Sequence, residues 1–210
     1  MDRADSMQMK DQMAPAAYNP LVDALTASLE QARAEANALR AELARVQRRL
    51  AEVELLADRD ALTPILNRRA FTRELVRTLA FCQRYDAQAS LVFMDMDGFK
   101  AVNDSFGHAA GDAALQAVAI SLSEHVRESD VVGRLGGDEF GVILAQAGRE
   151  AAEAKAAELQ RRVEAEPVVF DGRAFPLRLS FGVRSFEPGL EAAQMLAEAD
   201  AAMFLRKGSR

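Results

Sequence analysis

Apolar positions recur along the chain with two different periods, and the change of period divides it. Val22, Leu25, Leu29, Ala32, Ala36, Leu39, Leu43, Val46, Leu50, Val53 and Ala57 alternate spacings of three and four without a break. A seam kept over about five heptads predicts a helix across residues 20–57 that pairs with a second copy in a left-handed coiled coil. Flanking charges agree with a parallel pair, Glu35 facing Arg40 and Arg49 facing Glu54 across the two helices. A single amphipathic helix folded back on its own domain normally carries a wider apolar stripe. Leucines at several a positions and alanines in the seam leave the strand number open.

Beyond Asp58 the periods mix. Residues 66–84 carry a helical pattern, residues 91–94 form a short apolar strand, and a helix runs through Leu115, Val118, Ala119, Leu122 and Val126. Apolar runs over residues 131–135 and 140–144 enclose two glycines and two acids, which predicts a β-hairpin with carboxylates at its tip. A helix follows over 149–165, with Ala152, Ala156, Leu159 and Val163 on one face. Residues 168–170 and 174–183 flank Asp171-Gly172 as a second hairpin, and a last helix carries Leu196, Ala199 and Met203. Strands and helices in this order predict an α/β (α+β) fold over residues 58–210, with helices packed on a mainly antiparallel sheet. Residues 1–19, rich in Met, Asp and Gln and lacking periodicity, read as a flexible tail.

Composition narrows the class. The chain has 210 residues, 50% hydrophobic and 28% charged, as in a globular protein with a real core. A net charge of −6 without a basic tract argues against nucleic acid as a partner. No apolar run approaches the roughly 18 residues of a membrane span, and no signal-peptide core precedes the helix, so a cytoplasmic protein without membrane contact is expected. The single cysteine, Cys82, excludes an internal disulfide and fits a reducing compartment. Beside Leu79 and Phe81 it reads as a small buried hydrophobe.

The chemistry gathers at two places. At the first hairpin, Gly136 and Gly137 admit unusual backbone angles and the close approach of a large anion. Asp138 and Glu139 suit a hard cation such as Mg²⁺. Just after the first strand comes Asp95-Met96-Asp97-Gly98-Phe99-Lys100. A carboxylate at a strand end, beside a turn that frees carbonyls, makes a metal corner, and Lys100 offers a positive charge to phosphate. Asn103 both donates and accepts, whereas Asp112 only accepts, a pair that matches the edge of guanine. Asp112 is alternatively the N-cap of the following helix. His108, with no second histidine or cysteine nearby, reads as a structural hydrogen-bonder in the loop.

Asp60-Ala61-Leu62-Thr63 with Asn67-Arg68-Arg69, Asp95-Met96-Asp97 with Phe99-Lys100, Asn103-Asp104, Gly107-His108 with Gly111-Asp112, and the run from Arg134 through Phe140 together resemble the GGDEF domain of diguanylate cyclases. The resemblance covers about residues 58–207. It implies a ferredoxin-like, nucleotidyl-cyclase palm that condenses two GTP into cyclic di-GMP and two pyrophosphates, at a site shared by two subunits. By the same resemblance, Asp95, the Met96 carbonyl and Asp138 would hold two Mg²⁺ ions, with Mn²⁺ as a possible substitute. Gly136 and Gly137 would admit phosphates and ribose, and Asn103 and Asp112 would recognise guanine. Phe99, Lys100 and Lys207 would contact phosphates. Glu139 or Asp138 would help deprotonate the ribose 3′-hydroxyl, the choice staying open. Arg127 and Asp130 match an R-x-x-D site at which the product inhibits.

Three departures stand out: Pro64 in place of the usual glycine, Leu135 in place of an aromatic, and Gly208-Ser209-Arg210 after Lys207 where the family runs Lys-x-x-Gly-Arg-Asn. Two other readings compete. One is a silent receptor that binds cyclic di-GMP at Arg127 and Asp130. The other is a cyclase making an adenine-containing dinucleotide, against which the acceptor-only Asp112 argues. Only the tail and the helix are left to receive an activating signal, so an unknown regulatory protein on the coiled coil is a candidate partner.

Overall fold

The computed structural model describes residues 20–208, apart from the side chains of residue 48 and of residues 50–57; the tail expected over 1–19 lies outside them. The chain divides into two units, one ending at Val53 and the other beginning at Glu54. Helix α1 (Pro20–Asp58), most of it in the first unit, opens with proline at its first position, where no amide donor is missed. Its seam is bare in the single chain: Leu25, Leu29, Leu39 and Leu43 are 52–71% exposed. Glu35 accepts from Gln31 at 3.1 Å and Arg40 donates to Asn37 at 3.3 Å, both within the helix. The seam side chains Leu50, Val53 and Ala57, and Glu54, lie outside those described.

The second unit is built on an antiparallel four-stranded sheet in the order β2-β3-β1-β6. After α2 (Arg68–Tyr85) come β1 (Ala89–Met96), α3 (Phe99–Phe106), α4 (His108–Glu124), β2 (Val131–Arg134) and β3 (Glu139–Ala145). Then follow α5 (Arg149–Ala165), a detached hairpin of β4 (Val168–Phe170) and β5 (Arg173–Phe175), β6 (Leu179–Ser185) and α6 (Ala192–Lys207). This is a ferredoxin-like βαββαβ arrangement. Strand β1 sits between two neighbours and buries both faces. Val92, Met94 and Met96 point into a core with α4 and α5, and Leu91 and Phe93 into a second core with α2 and α6.

Glycines fix how closely helices approach. Gly133 and Gly141 pair across β2 and β3, and the ring of Phe71 on α2 fills the space where their side chains would be. At Gly182 on β6, an added Cβ would lie 2.2 Å from both the Ala199 carbonyl oxygen and the Met203 amide nitrogen. Helix α6 therefore rests on the bare backbone of β6.

The fold departs from expectation in three places. Residues 99–106 form a helix, α3, bracketed by Gly98 and Gly107, both at positive φ; eight residues between glycines are too few to display a period. The strand expected over 174–183 is split. Asp171 and Gly172 both take positive φ and close the β4–β5 hairpin as expected. The chain then leaves at Pro176, which cannot donate to a ladder, and re-enters as β6 in the main sheet. Finally, Gly107 caps α4, so Asp112 stands inside the helix and is not its N-cap, and His108 opens the helix instead of lying in a loop. Cys82 is buried, as expected, and burial raises its thiol pKa.

Candidate functional site

β1 and β3 run antiparallel with Asp95 opposite Glu139, so the end of one strand meets the start of the other. The Met96 amide donates to the Asp138 carbonyl at 3.1 Å, tying the hairpin tip to the end of β1. Asp95, Met96, Asp138 and Glu139 thus converge at one edge of the sheet. Burial raises the Asp95 pKa; Lys207 opposes this, while Asp138 and Asp97 add to it. Burial also raises the Glu139 pKa, aided by Asp200, Asp95 and Asp138 and opposed by Arg68.

The loop between β2 and β3 corrects the expected role of its glycines. Neither Gly136 nor Gly137 has positive φ. Their value is space: a Cβ on Gly136 would lie 2.2 Å from the Glu139 carboxylate, and one on Gly137 would meet nothing within 4 Å. The second glycine therefore leaves open backbone surface. Arg134 grips the loop from below, donating to the Gly137 carbonyl at 2.7 Å and to Asp60 at 3.0 Å. Asp60 also accepts from the Leu62 and Thr63 amides and the Thr63 hydroxyl. Arg68 donates to the Leu135 carbonyl at 2.8 Å. Leu135 itself is buried beside Phe71 and Gly141, so the missing aromatic is a change of packing.

Past β1, Gly98 turns the chain and α3 begins with Phe99, half-buried against the core, and exposed Lys100. One turn later Asn103 crosses α4 at Gly111, where a Cβ would fall 2.0 Å from the Asn103 carboxamide oxygen. Gly111 thus lets the Asn103 side chain lie against α4, and the next residue, Asp112, is exposed. Lys207, at the end of α6, bonds to Asp95 and lies 3.1 Å from Asp97. Asp97 in turn accepts from the Ser180 hydroxyl on both oxygens, at 2.9 Å each. Asp97, Ser180, Arg134, Asp60, Arg68 and Asp200 have no role expected from the sequence alone. All but Ser180 and Asp200 lie in motifs already singled out, and those two become visible only through the sheet and α6.

The donor set at Asp95, Met96 and Asp138 is made of hard oxygens, and a cation already rests there in the form of the Lys207 ammonium. Among the described residues no three His, Cys, Asp or Glu side chains form a metal cage. Two carboxylates and a carbonyl fit Mg²⁺, which completes its shell with water and substrate oxygens.

Arg127 and Asp130 lie apart from this edge. Both Asp130 oxygens hold backbone, accepting from the Arg127 and Ala145 amides at 3.0 Å each. They border a cavity of about 580 Å³ that Lys155, Glu158 and Arg161 also line. No helix among the described residues is long and apolar enough to cross a membrane.

Comparison with known proteins agrees with this geometry. The chain is 37% identical over 159 residues to the probable diguanylate cyclase DgcE of Escherichia coli, covering 75% of this chain but only 14% of that protein. The coiled coil and GGDEF domain of DgcB from Caulobacter crescentus, solved with c-di-GMP, superimposes with a TM-score of 0.74 at 27% identity, over 87% of this chain and 95% of that one. Diguanylate cyclase SiaD from Pseudomonas aeruginosa, solved with its activator SiaC, gives 0.71 at 29% identity, over 90% and 76%. The family described as "Diguanylate cyclase, GGDEF domain" matches residues 57–210, and the chain belongs to it.

Proposed function

We propose that this chain is a diguanylate cyclase whose folded domain holds one GTP, two such domains condensing their nucleotides into cyclic di-GMP with release of two pyrophosphates. The observation that carries the reading is the convergence of Asp95, Met96 and Asp138 beneath the open backbone at Gly137. Asn103, which crosses α4 at Gly111, and the exposed Asp112 that follows Gly111 would suit guanine.

Asp95, Asp138 and the Met96 carbonyl would hold two Mg²⁺, or Mn²⁺ in their place. Bound there, the ions would lower the pKa of the attacking 3′-hydroxyl and neutralise charge on phosphate. The chain's own residues do the rest. Gly136 and Gly137 admit the nucleotide, and the start of α3 with Phe99 and Lys100 receives phosphate oxygens. Lys207 exchanges its hold on Asp95 for phosphate. The proton leaves to Glu139 or Asp138; the raised Glu139 pKa suits an acceptor.

One domain supplies half a site, since each 3′-oxygen must reach the α-phosphate held by the other copy. The bare seam of α1 supports a homodimer through residues 22–57, which would raise the local concentration of one domain for the other to roughly millimolar. SiaD, a similar protein, was solved with an activator protein, SiaC, and a regulatory protein acting on α1 is part of this reading. Arg127 and Asp130, at a cavity lined also by Lys155 and Arg161, would bind the product and restrain the enzyme. The test is chromatography of the nucleotides formed from GTP and Mg²⁺ by protein stripped of bound product. Cyclic di-GMP supports the reading, and its absence rejects it.

A further inference from the structure

Residues 200, 204 and 207 of α6 are spaced four and three apart and share one flank of the helix. That flank runs past the candidate site. Asp200 acts electrostatically on Glu139, and Lys207 bonds Asp95. Between them stands Phe204, 72% exposed, with Leu205 beside it at 75%. The face that α6 buries is a different one, made of Ala192, Met195, Ala199 and Met203, and neither core includes the exposed pair. Two large apolar side chains side by side in water, at the rim of a charged site, are a feature that folding does not explain.

We infer that Phe204 and Leu205 are the apolar contact on which a second copy of this domain docks when the two half-sites close on each other. The inference rests on the two-subunit reaction proposed above. The half-site is incomplete until another nucleotide-loaded domain covers it, and the Phe204 flank is continuous with its edge. The domain's own guanine is a poor occupant. The Asn103–Asp112 pair lies on α3 and α4, and α4 packs on the sheet face opposite to α6. Phe204 is thus a positioning residue, acting on the approach of the partner and not on the domain's own GTP.

The test compares full-length wild type with Phe204→Ala and Phe204→Leu, measuring turnover of GTP to cyclic di-GMP and the affinity of a non-hydrolysable GTP analogue in Mg²⁺. An exposed ring leaves the melting temperature unchanged. Truncation should lower turnover by about tenfold or more while analogue affinity stays within about twofold, and leucine should restore most of the rate. Unchanged turnover in Phe204→Ala overturns the inference. So does a parallel loss of turnover and affinity, which would place the ring on the domain's own nucleotide. Wild type that makes no cyclic dinucleotide fails at the functional reading itself, before any variant is compared, and the inference falls with it.

Discussion

Arg134 and Asp60 form a salt bridge at 3.0 Å, with side chains only 15% and 19% exposed, and the same guanidinium holds the Gly137 carbonyl. A residue just after α1 thereby helps fix the loop that carries Asp138. Burial works against ionisation of Asp60, but Thr63 and Arg134 outweigh it and its pKa is lowered. A depressed carboxylate stabilises the fold above its ordinary pKa, and that stability is lost as pH falls through the depressed value. Asp60→Asn should therefore cost about 1–2 kcal/mol in denaturant unfolding at pH 7. The gap to wild type should begin to narrow only below about pH 4, the ordinary carboxylate value, and shrink further as pH falls through the depressed pKa. A gap that is the same at pH 3 and pH 7 would contradict the assignment.

The Asn103–Gly111 crossing gives a second prediction. A methyl group at position 111 cannot coexist with the Asn103 carboxamide at 2.0 Å, so the side chain must swing away. Gly111→Ala should raise the KM for GTP by about tenfold with little change in melting, because the yielding atoms end a flexible side chain. A KM unchanged from wild type would mean that Asn103 does not read the base.

Gly182 yields the opposite outcome. There the obstructing atoms are α6 backbone, at 2.2 Å, and cannot rotate away. Gly182→Ala should destabilise the domain by about 2–3 kcal/mol or more in denaturant unfolding. Loss of well under about 1 kcal/mol would show that α6 shifts freely on the sheet.

These contrasts mark what a sequence can reveal. The long period of α1, the hairpin around Gly136 and the helix over 149–165 were legible because each pattern is local and repeats. The acids Asp95 and Asp138 were legible as candidates because Asp95 ends an apolar strand just before the Gly98 turn and Asp138 directly follows Gly137. Helix α3 was not, being too short for a period, and neither was the split of β5 from β6, decided by which sheet accepts Leu179. The true use of Gly136 and Gly137 was hidden as well. Glycine in a turn suggests φ, whereas these two provide room, and only the position of Glu139 reveals it. Asp200 and Ser180 have no local pattern at all; tertiary packing alone brings them to the site.

Product restraint tests the second site. Asp130 holds the turn through two backbone amides, so removing it would disturb structure as well as binding. Arg127→Ala is the cleaner change. Its initial rate should match wild type, while added cyclic di-GMP should inhibit about tenfold less strongly. Equal inhibition of both proteins would remove Arg127 from the site.

Whether the chain makes cyclic di-GMP is decided by following GTP, pyrophosphate and cyclic di-GMP together in Mg²⁺, with wild type beside Asp138→Ala. The wild type should form one cyclic di-GMP and two pyrophosphates for every two GTP consumed, and the variant no product. A wild type that binds cyclic di-GMP yet forms none from GTP would contradict it and make the protein a receptor.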